Sequence, residues 1–259
     1  MQTALAIIAH ALRMLIFETT TTLRVILPAL IMVIGSAVVA IVMVPEAIDA
    51  IQSAPETVVV PAPSGVFLLL ILGVIGLLGY ALMAILWHRH VLMNGAERPE
   101  ALFPNMSIFL RYVGRAIVVG FMQMLASIPI ALAMGLVGIY LIPAAGGLAI
   151  LLIGLLGGVA FVWVALRVSL VLPAGALGHY MSVGESWNAT APLSKVIWGV
   201  SILLAGLNMF VFTLADAVIP TLHGISLIAY TVVYLLEGLV FVSVLTTLYG
   251  NLVEGRSLG

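Results

Sequence analysis

Between Val66 and Trp87 the chain carries no charged residue, and it then turns abruptly into Trp87-His88-Arg89-His90. A helix of about 20 apolar residues, rising about 1.5 Å per residue, crosses the hydrocarbon core of a bilayer. Aromatic rings and cationic heads settle at headgroup level, so a basic-aromatic ending marks where such a helix leaves the lipid. The rest of the chain has the same character. Hydrophobic residues make up 64% of its 259 positions and charged residues only 7%, where a soluble domain carries roughly 25% charged residues. That apolar surface needs lipid as its solvent.

Six segments have the length and composition of spans: roughly 24–44, 66–87, 116–141, 147–171, 197–218 and 225–248. The gap between the first two holds Glu46, Asp49, Glu56, Pro61 and Pro63 with no Lys or Arg, whereas the next holds Arg89, Arg98, Arg111 and Arg115. Cytoplasmic loops carry the excess of Lys and Arg. With both termini cytoplasmic, all nine Lys and Arg fall on one side, and the other side keeps only acids and His223. A five-span or seven-span arrangement would scatter them. The expected fold is therefore an all-α membrane protein, one domain over residues 1–259, with six helices as three hairpins. Arg13 interrupts the first apolar run and no basic segment precedes it, so the N-terminus does not read as a cleaved signal peptide.

Short amphipathic helices are expected on the cytoplasmic face. In residues 1–23, Leu5, Ile8, Leu12 and Leu15 follow helical spacing, His10 and Arg13 lie elsewhere on the helix, and Glu18-Thr19-Thr20-Thr21-Thr22 ends it. Residues 106–115 form a second candidate. A third begins at Ser182, where Ser182 and Glu185 fit a capping box and Trp187 would anchor at the headgroups. Each precedes a pair of spans, which divides the chain into three similar units, 1–93, 106–178 and 182–250.

A polar group inside the bilayer is costly and needs a reason. Glu237 lies near the middle of the sixth span, on one face with Tyr230 and Tyr234. The fifth span offers Ser201, Ala205 and Asn208 at the same spacing, with Asp216 near its outer end, and Asn208 and Glu237 fall at matching depth. Gln123, Ser127 and Tyr80 can face the same interior. Interhelical hydrogen bonding explains such groups as packing, with Glu237 carrying its proton because an ionised carboxylate is expensive in lipid. A proton or cation relay is the functional alternative, although it usually needs more than one titratable group at depth. Arg89, Arg115 and Arg167, with Trp87 and Trp187, are candidates for contact with lipid headgroups.

Other signals are weaker. His88 and His90 point about 200° apart on a helix, so they would join His179 around a metal only in an extended segment. No metal or cofactor is expected. Gly73, Gly76 and Gly79, and Gly154, Gly157 and Gly158, suit close helix packing, and Pro129 should kink the third span. Asn188-Ala189-Thr190 matches a glycosylation sequon but falls on the cytoplasmic side. His-Glu-x-x-His is absent, Gly184-Glu185-Ser186-Trp187-Asn188 lacks the second glycine of a nucleophile elbow, and Lys195 is the only lysine, with no phosphate loop around it. A net charge of −1 argues against nucleic-acid partners, and the absence of cysteine excludes disulfides and thiol chemistry.

The run Arg167-Val168-Ser169-Leu170-Val171-Leu172-Pro173-Ala174, followed by Ser182-Val183-Gly184-Glu185-Ser186-Trp187-Asn188-Ala189-Thr190, resembles a group of bacterial six-span membrane proteins. That largely uncharacterised group includes the membrane domain fused to some glycerophosphodiester phosphodiesterases. Its members show an Arg-x-x-Leu-x-x-Pro segment and then a Ser-Trp-x-x-Thr helix leading into the next span, and Trp87-His88-Arg89-His90-Val91-Leu92 is similar too. The resemblance covers most of the chain in layout. It implies a bacterial inner-membrane location and a six-helix bundle with interfacial helices. It carries over no catalytic residue, and no phosphodiesterase activity follows from it.

The expected function is a non-enzymatic accessory or scaffolding role, with membrane lipids, other integral membrane proteins or a larger membrane complex as partners. A small transporter or channel using the Asn208–Glu237 interior is the first alternative. A membrane-embedded metal-dependent enzyme, with His88, His90 and His179 converging on an acid, is the second.

Overall fold

The computed structural model describes residues 2–17, 19–52, 62–94, 102–220 and 223–257. Glu18, Glu56, Pro61 and Arg98 lie outside the described residues, as do the side chains of Asp49 and His223. Among the described residues the regular structure is helical, with no strand. The helices are α1 (Gln2–Phe17), α2 (Thr19–Met43), α3 (Pro45–Gln52), α4 (Pro63–Leu92), α5 (Met106–Val168), α6 (Val171–Ala176), α7 (Val183–Thr190), α8 (Ser194–Val218) and α9 (His223–Leu252). Five segments, built on α2, α4, α5, α8 and α9, are long and apolar enough to cross a membrane.

Local chemistry sets several of the boundaries. The Ser182 hydroxyl accepts from the Glu185 amide at 3.2 Å, and the Glu185 carboxylate accepts from the Ser182 amide at 2.6 Å, so α7 starts with both halves of a capping box. The Asn105 side chain accepts from the Ile108 amide at 2.9 Å and opens α5. Helix α3 begins on Pro45 with Glu46 in its first turn, where a missing amide hydrogen and a negative charge both suit a helix start. The Thr19 hydroxyl, in the first turn of α2, donates to the Ile16 carbonyl at 2.7 Å; Glu18, where the sequence places the end of α1, lies outside the described residues.

Helix α5 is two rods joined at a kink. It is continuous over 63 residues except at Gly146, whose φ of 54° and ψ of −130° are not helical. A straight helix of that length would reach about 95 Å, roughly three times the hydrocarbon thickness. The positive φ at glycine lets the chain turn back without a Cβ clash. The second limb returns beside the first: the Gln123 amide donates to the Phe161 carbonyl at 2.7 Å, and a Cβ on Gly157 would lie 3.3 Å from Met134. Residues 106–115 are no separate interfacial helix. Gly114 keeps helical dihedrals, so these residues form the first turns of α5.

The two larger core clusters lie at one end of the bundle, and a small one around Ala40, Ile48 and Leu72 lies at the other. One cluster joins Ile7 of α1, Leu166 and Leu170 beside the end of α5, Ile197 and Val200 of α8, and Leu248 of α9. A second joins Val25 and Ala29 of α2, Met83 and Trp87 of α4, and Leu239 and Val242 of α9. Toward the opposite end the same helices present apolar faces outward, as at Leu77 (71% exposed) and Phe210 (65% exposed).

Helix α1 belongs to this core. Ala4, Ile7 and Ala11 are buried, whereas Leu5, on the face the sequence marks as apolar, is exposed. Ala4 packs so closely on Gly199 that a Cβ there would sit 2.9 Å away, and the Ser243 hydroxyl donates to the Ala11 carbonyl at 3.0 Å. Small side chains allow that backbone approach, so they define the contact face in place of the larger leucines.

Candidate functional site

Ile197, Ser201, Leu204 and Asn208 recur at helical spacing along α8, and Glu237, Phe241, Val244 and Leu248 along α9. The lower members of both rows pack in the first core cluster. Asn208 and Glu237 stand where the two helices emerge from it, and the Asn208 amide donates to the Glu237 carboxyl. Asn208 is exposed and Glu237 half-buried. Tyr80 of α4 lies against Gly238, in space that only a glycine leaves open. Nearer the far end, the Tyr230 hydroxyl donates to Asp216 at 2.6 Å. Tyr234 packs on Phe212, with ring centroids 4.9 Å apart. Three contacts therefore stitch α8 to α9 along the half of the bundle away from the two larger core clusters.

Gln123 does not join this cluster. Its amide serves the two limbs of α5, as described above, because its face of the first limb turns toward the second. Ser127 donates within its own helix, to the Met124 carbonyl at 2.7 Å. Chemically, the Asn208–Glu237 site offers one carboxyl group halfway along α9, an amide donor and a nearby phenol. That set can hold two helices together or accept and release one proton.

At the other end, arginines tie the helix termini together. Arg89 is 8% exposed and donates to the Leu102 carbonyl at 3.0 Å and the Ala176 carbonyl at 2.8 Å. Arg167 is 5% exposed, donates to the Trp187 carbonyl at 2.9 Å and stacks on the Trp187 ring at 4.1 Å, with Trp163 at 5.3 Å. Arg115 donates to the His179 carbonyl at 2.7 Å, and Arg256 reaches the Leu92 carbonyl at 2.5 Å. Trp87 is 1% exposed. Arg89, Arg167 and Trp87, assigned from sequence to lipid headgroups, thus turn inward. The last carbonyls of a helix lack intrahelical donors, and a guanidinium fork satisfies them with charge-assisted bonds. Arg115 and Trp187 keep an outward side.

The histidines do not converge. The Thr246 hydroxyl donates to the Val242 carbonyl at 2.7 Å, so its oxygen accepts from Nδ1 of His88 at 2.8 Å. His90 points into a different environment, beside Trp87 with ring centroids 5.9 Å apart. The His179 carbonyl is held by Arg115. Among the described residues, no group of three His, Cys, Asp or Glu side chains is placed to hold a metal ion.

Two of the cavities bear on the helix packing. One, of about 300 Å³, lies between α1 and α4 and is lined by His10, Arg13, Met14, Phe17, Trp87, His90 and Val91. The other, about 650 Å³, is an apolar groove between the limbs of α5, beside Gly138 and Gly154. Neither is lined by Glu237 or Asn208. The first was within reach of sequence reading, because His10, Arg13, Met14 and Phe17 recur at i, i+3, i+4 and i+7 and so share a helix face.

An all-helical chain with five segments long and apolar enough to cross a membrane has the make-up of an integral membrane protein. No family model matches the chain, and no curated protein or solved structure matches it.

Proposed function

We propose that this is a six-span protein of the bacterial inner membrane, with both termini cytoplasmic, acting as a non-enzymatic accessory or scaffolding protein that contacts lipids and other membrane proteins. Counting the two limbs of α5 separately gives six spans in three hairpins, with α6 and α7 at the cytoplasmic interface. The gathering of Arg89, Arg115, Arg167 and Arg256 at one end supports the orientation, since cationic residues stay on the cytoplasmic side. The resemblance of the Arg167–Ala174 and Ser182–Thr190 segments supports the location.

The observation that carries the accessory role is the set of large apolar faces left open away from the arginines. The cationic half holds the larger clusters, while the other half, beyond the small cluster around Ala40, Ile48 and Leu72, exposes large apolar faces and, at Asn208, a polar one. The Asn208 amide is bonded to Glu237, but the pair opens outward, where lipid gives its remaining polar positions no partner, so a helix of a neighbouring protein is the natural cover for the α8–α9 stitch. A photo-crosslinking residue at Phe210, in native membranes, tests this. A discrete adduct with another membrane protein is expected, and lipid adducts alone would contradict the role.

A transporter remains the second reading, favoured by the position of Glu237. Its test is proton or cation flux in proteoliposomes: flux lost in Glu237→Gln with folding intact would favour transport over the accessory role.

A further inference from the structure

The cavity between α1 and α4 has a composition that neither the core nor the α8–α9 stitch shares. Its α1 wall is His10, Arg13, Met14 and Phe17, and its α4 wall is Trp87, His90 and Val91. On α4 these residues are spaced i, i+3, i+4, so each helix contributes one face. Among the described residues that line it, none is acidic. Arg13 is always charged and is exposed. His10 and His90 add two imidazoles at the same rim. Arg89, Arg115, Arg167 and Arg256 of this end are committed to backbone carbonyls.

The opposite side of the same cavity is apolar. Met14, Val91 and the buried Trp87 ring form it, and Phe17 (79% exposed) with its neighbour Ile16 (66% exposed) extends it outward along α1. A soluble anion would use the cationic rim and leave Ile16 and Phe17 in contact with nothing. An amphiphile with an anionic head would use both parts, with its phosphate oxygens against Arg13 and the histidines and its chain along Met14 and Phe17. The volume of about 300 Å³ suits one headgroup. The location also fits, because α4 leaves its apolar stretch at Trp87, at the depth where aromatic residues meet headgroups.

We propose that the α1–α4 cavity is a binding site for the phosphate headgroup of one anionic phospholipid. The site rests on the membrane-spanning reading but is independent of whether the protein scaffolds or transports. Arg13 supplies the charge-assisted hydrogen bonds, His10 and His90 the flanking donors, and Phe17 the contact with the acyl chain.

The test uses the full chain, extracted in mild detergent from vesicles of phosphatidylcholine with phosphatidylglycerol, and counts retained lipid by native mass spectrometry. The wild type is expected to retain one phosphatidylglycerol in preference to phosphatidylcholine. Arg13→Gln and His10→Gln/His90→Gln should each lower that retention by about tenfold, the effect of losing one charge-assisted hydrogen bond. Arg111→Gln is the control, since Arg111 lies outside the cavity and bonds to Ser107 of its own helix. Arg13 is exposed and its substitution leaves the core intact; circular dichroism and a melting curve check that each variant stays folded. Equal retention by Arg13→Gln and the wild type would overturn the proposal. So would inorganic phosphate displacing the lipid at low millimolar concentration, which would assign the rim to a soluble phosphate. Failure of the chain to enter vesicles at all would instead sink the membrane-spanning reading.

Discussion

Gly238 gives the sharpest handle on how α4, α8 and α9 meet around Glu237. A Cβ built there collides with the hydroxyl and ring tip of Tyr80. Tyr80 packs against the second core cluster, so its ring cannot swing away freely. Overpacking of this kind costs about 1–3 kcal/mol, and displacing a whole ring puts Gly238→Ala at the upper end, about 3 kcal/mol. Alanine regains about 1 kcal/mol over glycine within a helix, which leaves a net loss of about 2 kcal/mol. In a Tyr80→Ala background the obstacle is gone and only the helix gain remains, so the same substitution should stabilise by up to about 1 kcal/mol. The cycle therefore predicts a coupling of about 3 kcal/mol and a change of sign. Reversible unfolding in mixed detergent and SDS micelles, followed by the fluorescence of the four tryptophans, reads all four corners. Equal effects of Gly238→Ala in both backgrounds would refute the contact and, with it, the placement of α4 beside Glu237.

Three further outcomes follow from the same packing. Glu237→Gln keeps an acceptor for Asn208 and should shift stability by less than about 1 kcal/mol, whereas Glu237→Leu orphans the amide and should cost about 1–2 kcal/mol in the same unfolding assay. Arg167→Met removes a charged hydrogen bond and a ring stack, for a loss of about 2–4 kcal/mol, and frees Trp187, seen as a red shift in emission. Gly199→Leu drives into Ala4 and should lift α1 from the bundle, so limited proteolysis should cleave near residue 17 faster than in the wild type.

The parts of this architecture legible in the sequence are those governed by local chemistry or by lipid as solvent. The long apolar runs give the spanning helices, and the Ser182–Glu185 box gives the start of α7, because both halves of that motif lie within four residues. The Asn208–Glu237 contact was readable because two rare polar groups fell on facing rows at one depth. Gln123 was misplaced because spacing gives a residue's row but not its neighbour, and the second limb of α5 captured it. Arg89, Arg167 and Trp87 look from sequence like a headgroup collar. The two arginines bond to backbone carbonyls of Leu102, Ala176 and Trp187, which no residue pattern reveals, and Trp87 packs in the second core cluster. The docking of α1 was hidden for a different reason: both faces of α1 carry large apolar residues, and the small Ala4 and Ala11 flanking Ile7 select the buried one.

The account depends on lipid surrounding six rods whose cationic ends share one side, and the natural lack of cysteine makes that directly measurable. Single cysteines at Glu46, Ala145 and Gly184, all exposed positions, are probed in intact cells with a maleimide that cannot cross the inner membrane. Glu46→Cys and Ala145→Cys should label without lysis, and Gly184→Cys only after it. Labelling of Gly184→Cys from outside, or of Glu46→Cys and Ala145→Cys only from the cytosol, would contradict the topology.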